Sequence, residues 1–117
     1  MAFPGTYNFN YYRGDTAEFV IRPKTANGSA YDLTNYTATF TIANRRGSTG
    51  TQYVAAAVVN ATTDIITCTI TPAVGRTLAA GTYVYDVQIT NAIPNPDVIL
   101  TILTGSVTVT DDITGAV

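Results

Sequence analysis

Hydrophobic and polar residues alternate along most of this chain, and the alternation predicts strands. Tyr7, Phe9 and Tyr11 alternate with Asn8, Asn10 and Tyr12, the period-two pattern of a half-buried strand. Phe19 and Ile21 carry a second strand that stops at Pro23, a residue with no amide to donate to a ladder. Tyr36, Ala38, Phe40 and Ile42 share one face of a third, with Thr37, Thr39 and Thr41 on the other. Residues 53–59 read as a strand with some helical propensity in Ala55-Ala56-Ala57, and Ile66, Cys68 and Ile70 mark the next. Tyr83, Tyr85, Val87 and Ile89 give the cleanest alternation, and 98–103 and 107–109 read as strands parted by a bulge or bend at Gly105. Only 72–80 breaks the pattern. Pro72 at its start, Val74 and Leu78 four apart, and Gly81 after it predict one short helical turn.

Turn signals separate these runs. Gly14 lies between the first two strands, Asn27-Gly28 follows the second, a polar loop covers 44–50, and a Pro-containing hairpin loop covers 91–97. Seven or eight short strands in one 117-residue chain predict an all-β domain spanning 1–117, an immunoglobulin-like antiparallel β-sandwich. A small closed barrel is the next architecture. The expected core is Phe19, Ile21, Phe40, Ile42, Ile66, Cys68, Ile70, Tyr83, Tyr85, Val87, Val107 and Val109. Tyr83 follows Gly81-Thr82 at a strand start, where a tyrosine corner anchors a Greek-key crossover.

Composition narrows the function by removing chemistry. The chain has no His and no Trp, one Cys, 46% hydrophobic residues and only 12% charged ones. Globular domains average about 25% charged. Without a histidine, neither Cys68 nor Ser29, Ser48 or Ser106 has a base to activate it. The scattered acids do not form the cleft-bound pair that glycoside hydrolysis needs, so no catalytic residue is expected. Asp111-Asp112, with Asp86 or Asp97, lacks the ligand spacing of a calcium loop. No metal and no cofactor are expected. Cys68, alternating with Ile66 and Ile70, reads as a buried small hydrophobe, and Arg13-Gly14-Asp15 as an ordinary turn rather than an adhesion motif. A net charge of −2 gives no electrostatic reason to bind nucleic acid. No apolar run approaches a membrane span and no signal peptide precedes the domain, so synthesis in the cytoplasm is expected.

Two stretches carry a family resemblance. One is Tyr12-Arg13-Gly14-Asp15-Thr16-Ala17-Glu18-Phe19, followed by Tyr31-Asp32-Leu33-Thr34-Asn35-Tyr36 and Phe40-Thr41-Ile42. The other is Ala80-Gly81-Thr82-Tyr83-Val84-Tyr85-Asp86-Val87-Gln88-Ile89, followed by Leu103-Thr104-Gly105-Ser106-Val107-Thr108-Val109-Thr110-Asp111-Asp112-Ile113-Thr114. In their order and spacing they resemble the immunoglobulin-like domain of tailed-phage virion proteins, best known as the N-terminal domain of the baseplate upper protein family. The resemblance implies a non-enzymatic structural protein of the virion that binds other virion proteins in many copies. It implies either a capsid decoration or cement protein or a tail or baseplate component. The low charge fits a subunit covered by neighbours. Candidate contact residues are Phe3 and Tyr7 in the N-terminal segment, Arg45, Arg46 and Gln52 at the 44–52 loop, and Ile93, Pro94 and Pro96 in the 91–97 loop. An alternative function is a host-surface glycan-binding module that stacks sugars on exposed tyrosines among Tyr7, Tyr11, Tyr12, Tyr31 and Tyr53.

Overall fold

The computed structural model describes residues 5–47, 51–94, 96–111 and 113. They form eight strands and one short helix: β1 (Gly5–Thr6), β2 (Phe9–Tyr12), β3 (Ala17–Ile21), β4 (Tyr36–Ala43), β5 (Gln52–Asn60), β6 (Ile65–Ile70), α1 (Pro72–Gly75), β7 (Gly81–Asn91) and β8 (Val98–Thr110). The class is all-β. The strand order is β1-β8-β7-β4-β5-β6-β3, with β2 also on β8. The β8-β7-β4 and β3-β6 neighbours are those of the two immunoglobulin sheets. The two halves are nevertheless joined. β5 pairs β4 through its first residues, Gln52 to Ala55, and β6 through its last, Ala56 to Asn60. One continuous sheet therefore curls over itself. The ring of Phe19 on β3 lies 5.5 Å from Phe40 on β4 and 6.2 Å from Tyr85 on β7.

The sheet is mixed, which corrects the expectation of purely antiparallel pairing. β1 and β2 run parallel to β8, with Gly5 opposite Leu103 and Phe9 opposite Val107. The single N-terminal strand expected over residues 7–12 is also interrupted. Tyr7 and Asn8 leave the ladder, and there the chain folds in over Gly105. A Cβ on Gly105 would lie 2.0 Å from the Tyr7 carbonyl oxygen. Gly105 is therefore required for close backbone approach, not for a bulge. The irregularity lies nearby: Val87 faces Leu103 but Gln88 faces Thr101, which leaves Ile102 as the extra residue of an otherwise unbroken β8. The bulge switches the inward parity from Leu100 and Ile102 to Leu103, Gly105, Val107 and Val109.

Ten of the twelve expected core residues are buried: Phe40, Ile42, Ile66, Cys68, Ile70, Tyr83, Tyr85, Val87, Val107 and Val109. Phe19 and Ile21 pack against the core but stay half-buried, because β3 is an edge strand with a neighbour on one side only among the described residues. Tyr11, Leu33, Leu78, Ile89 and Ile102 complete the interior. Cys68 is buried and burial pushes its thiol up to about 12, so it packs as an unreactive hydrophobe.

The corners are tied by specific hydrogen bonds. The Tyr83 hydroxyl donates to the Ala79 carbonyl at 2.8 Å, the tyrosine corner expected at the start of β7. Helix α1 ends at Gly75, short of the expected 72–80, and Thr71 caps its start. Arg13 then holds the segment after it, with Nε donating to the Leu78 carbonyl at 2.9 Å and Nη2 to the Arg76 carbonyl at 2.8 Å. Gly14 turns at φ +87°, where a side chain would be strained and would meet the Arg76 guanidinium. Arg13-Gly14-Asp15 is thus a structural clamp and turn. Asp32 accepts from the Thr34 amide at 3.0 Å and hydroxyl at 2.7 Å, and this small turn presents Leu33 to the core.

Candidate functional site

The outward face of the β4-β7-β8 sheet is built from the positions that alternate with the core. Thr41 on β4, Asp86 on β7 and Thr104 on β8 form one cross-strand row, and Thr39, Gln88 and Thr101 form the next. Gln88 Nε2 donates to Thr101 Oγ1 at 3.3 Å. Residues 45–47, after β4, stand beside these rows and help make a groove of about 380 Å³, lined by Thr41, Arg45, Arg46, Gln52, Asp86 and Gln88 among others. Arg46 reaches across β7 and donates from Nη2 to Thr104 Oγ1 at 2.7 Å. Arg45 is exposed and makes no hydrogen bond among the described residues.

Asp86 is the one acid drawn into this groove. Burial pushes its carboxyl above the usual carboxylate range, and the Arg46 guanidinium pulls it part of the way back. A folded-state pKa above the unfolded value means that the protonated acid favours folding. That contribution is present below the ordinary carboxylate range and is lost as pH rises through the folded value. Asp86→Asn should therefore raise the melting temperature by about 1–2 °C at neutral pH, a small gain because the group is partly exposed. The gain should vanish near pH 3. Thermal melts of both proteins at the two pH values measure this, and a less stable variant at neutral pH would contradict it.

The candidate contact residues fall into separate places. Arg45, Arg46 and Gln52 converge on the groove. Ile93, Pro94 and Pro96 lie in the β7–β8 connection at the other end of the sheet, roughly 20 Å away at ~3.3 Å per residue along β7. Asn91 closes β7 opposite Val98 and its side chain accepts from the Ile93 amide at 3.0 Å, so the connection is 92–97. Ile93 stands 75% exposed there, and Ile99 on the adjoining strand is 57% exposed. Tyr7 lies at the edge of the sheet, stacked on Phe9 at 5.5 Å, with its carbonyl accepting from the Tyr85 hydroxyl at 2.5 Å. Phe3 lies outside the described residues. Sequence reasoning missed Asp86 and Gln88 as partners of the 44–52 loop. Their signal was present, since both alternate with core residues of β7 and must face outward.

The groove offers two guanidinium groups, one carboxylate, amides and hydroxyls. These suit hydrogen bonding to a polar or backbone surface. Among the described residues, no three Cys, Asp or Glu side chains come together to hold a metal ion, and no helix is long and apolar enough to cross a membrane. The exposed tyrosines Tyr7 and Tyr12 do not line the groove.

No family model matches the chain, and no curated protein matches it. Among solved structures, the chain is similar to a family 123 glycoside hydrolase from Clostridium perfringens, studied for glycolipid glycan hydrolysis. The identity is 14% and the TM-score 0.40, over 93% of this chain and 23% of that one. The chain thus spans under a quarter of that enzyme's length, and a likeness at this level carries no argument about activity.

Proposed function

We propose that this chain is a non-enzymatic structural module of a tailed-phage particle, held by largely uncharged contacts with other virion proteins. The reading covers an accessory protein on the capsid exterior and a tail or baseplate component. The observation that carries it is the character of the outer surface. On a chain with only 12% charged residues, Val54, Val58, Ile93 and Ile99 are each more than half exposed. Solitary apolar side chains are normal on any surface. Here Ile93, Pro94, Pro96 and Ile99 cluster at one hairpin end, where a partner surface would cover them. The residues on which the family resemblance rests also support the reading through their structural work: Gly14 makes a turn, Asp32 and Thr34 a second, Tyr83 the corner and Gly105 the crossing point of the N-terminal segment.

Replacing 92–97 by Asn-Gly tests the contact. The Asn91–Val98 pair would then close a two-residue hairpin, so the melting temperature should hold. Incorporation into particles should fall several-fold, as it does when a buried apolar anchor is lost. Because uncharged contacts are weakly screened, incorporation of the unaltered protein should persist at raised salt. Unchanged incorporation of the loop variant would remove the hairpin end from the interface.

A further inference from the structure

β3 is an open edge. It pairs with β6 on one side and has no partner on the other among the described residues. Beside that free edge runs an apolar groove of about 380 Å³, lined by Tyr7, Phe19, Val20, Ile21, Arg22 and Leu103. Side chains alternate along the strand. Phe19 and Ile21 face inward and pack against the core, while Glu18, Val20 and Arg22, the residue just after the strand, are exposed. The side chains of Glu18 and Arg22 make no hydrogen bond or ion pair among the described residues. Charges on an edge usually block strand addition. These two carry opposite signs and stand at equal distances either side of Val20, so they are complementary to themselves under a two-fold rotation.

We infer that β3 pairs with β3 of a second copy of this chain, antiparallel about a two-fold axis at Val20. In that register residues equidistant from Val20 face each other. Glu18 of each copy meets Arg22 of the other, Val20 meets Val20, and on the inner side Phe19 meets Ile21 at the mouth of the groove. Moving the axis by one residue sets Val20 against a charge, and parallel pairing brings like charges together. The charges therefore select register and orientation, while backbone hydrogen bonds and the apolar inner face supply the attraction. A five-residue edge is small against the roughly 1,200–2,000 Å² of a stable interface, so the pair is weak and forms at high local concentration. The pattern stands whether or not the particle reading holds.

Covalent trapping tests it. Val20→Cys would place two thiols on residues about 4.5–5.5 Å apart at Cα, within disulfide range. The native Cys68 is buried and does not compete. Under mild oxidant, Val20→Cys should cross-link to itself several-fold faster than Val58→Cys, although Val58 is 64% exposed and Val20 only 39%. Adding Glu18→Arg, or adding Arg22→Glu, should each slow the reaction about tenfold by facing like charges twice. The double exchange should restore it, and the two singly reversed proteins should cross-link to each other when mixed. Three results would overturn the inference: equal rates at positions 20 and 58, indifference to the charge reversals, or cross-linking of position 20 to a different protein of the particle in place of itself.

Discussion

Gly105→Ala is expected to cost about 3 kcal/mol or more of folding stability, well above a typical surface substitution. The added Cβ would lie 2.0 Å from the Tyr7 carbonyl oxygen, 2.8 Å from its carbon and 3.0 Å from Asn8 Oδ1. All belong to the crossing segment between β1 and β2, and the two nearest are backbone atoms, which cannot swing aside as a side-chain tip can. That segment must lift. Lifting it breaks the bond from the Tyr85 hydroxyl to Tyr7, the 3.0 Å bond from the Tyr7 amide to Thr104, and the 2.9 Å bond from the Ser106 amide to Asn8. The Tyr85 hydroxyl is then left buried without its acceptor. Tyr85→Phe, which removes the hydroxyl and leaves the crossing in place, should cost only about 1 kcal/mol. A Gly105→Ala loss under 1 kcal/mol in denaturant melts would show that the N-terminal segment is not fixed over β8.

Phe40→Ala should cost about 3–5 kcal/mol, the range for a buried aromatic truncation. Phe40 is fully buried at the centre of β4, and its ring meets Phe19 edge-on at 5.5 Å and Tyr85 at 5.4 Å. It therefore joins the two curled halves of the sheet, and its removal opens a cavity between layers that the surrounding backbone ladders hold apart. Phe19→Ala, at a half-buried edge position, should cost less. Equal losses at the two positions would mean that β3 belongs to the sealed core and not to an open edge.

The contrast between those two phenylalanines shows what the sequence could tell. Both sit in period-two runs, and the period reports which side of a strand is apolar. It does not report whether the strand has one neighbour or two. The same pattern therefore placed both in the expected core, and only the strand order shows that Phe40 is sealed while Phe19, on an edge strand, stays half-buried. The parallel attachment of β1 and β2 was hidden likewise, because alternation is the same for either direction of pairing. Gly105 drew attention as an isolated glycine in a strand, but what approaches it is Tyr7, far away in sequence. Leu33 and Leu78 are buried in connections between the regular elements, where Leu33 carries no period and Leu78 only its four-residue spacing from Val74. Tyr83 was legible in full, since a tyrosine corner is local: donor and acceptor lie four residues apart. The groove was half legible. Arg45, Arg46 and Gln52 stood out as a polar loop, while Asp86 and Gln88 became its floor only once β4 was set beside β7.

Mass spectrometry of purified particles from an infected host tests the central claim most directly. The expected result is this chain present in multiple copies per particle and retained through washing at raised salt. Its absence from particles that assemble in a host expressing it would contradict the structural role, and the glycan-binding module would then be the better reading.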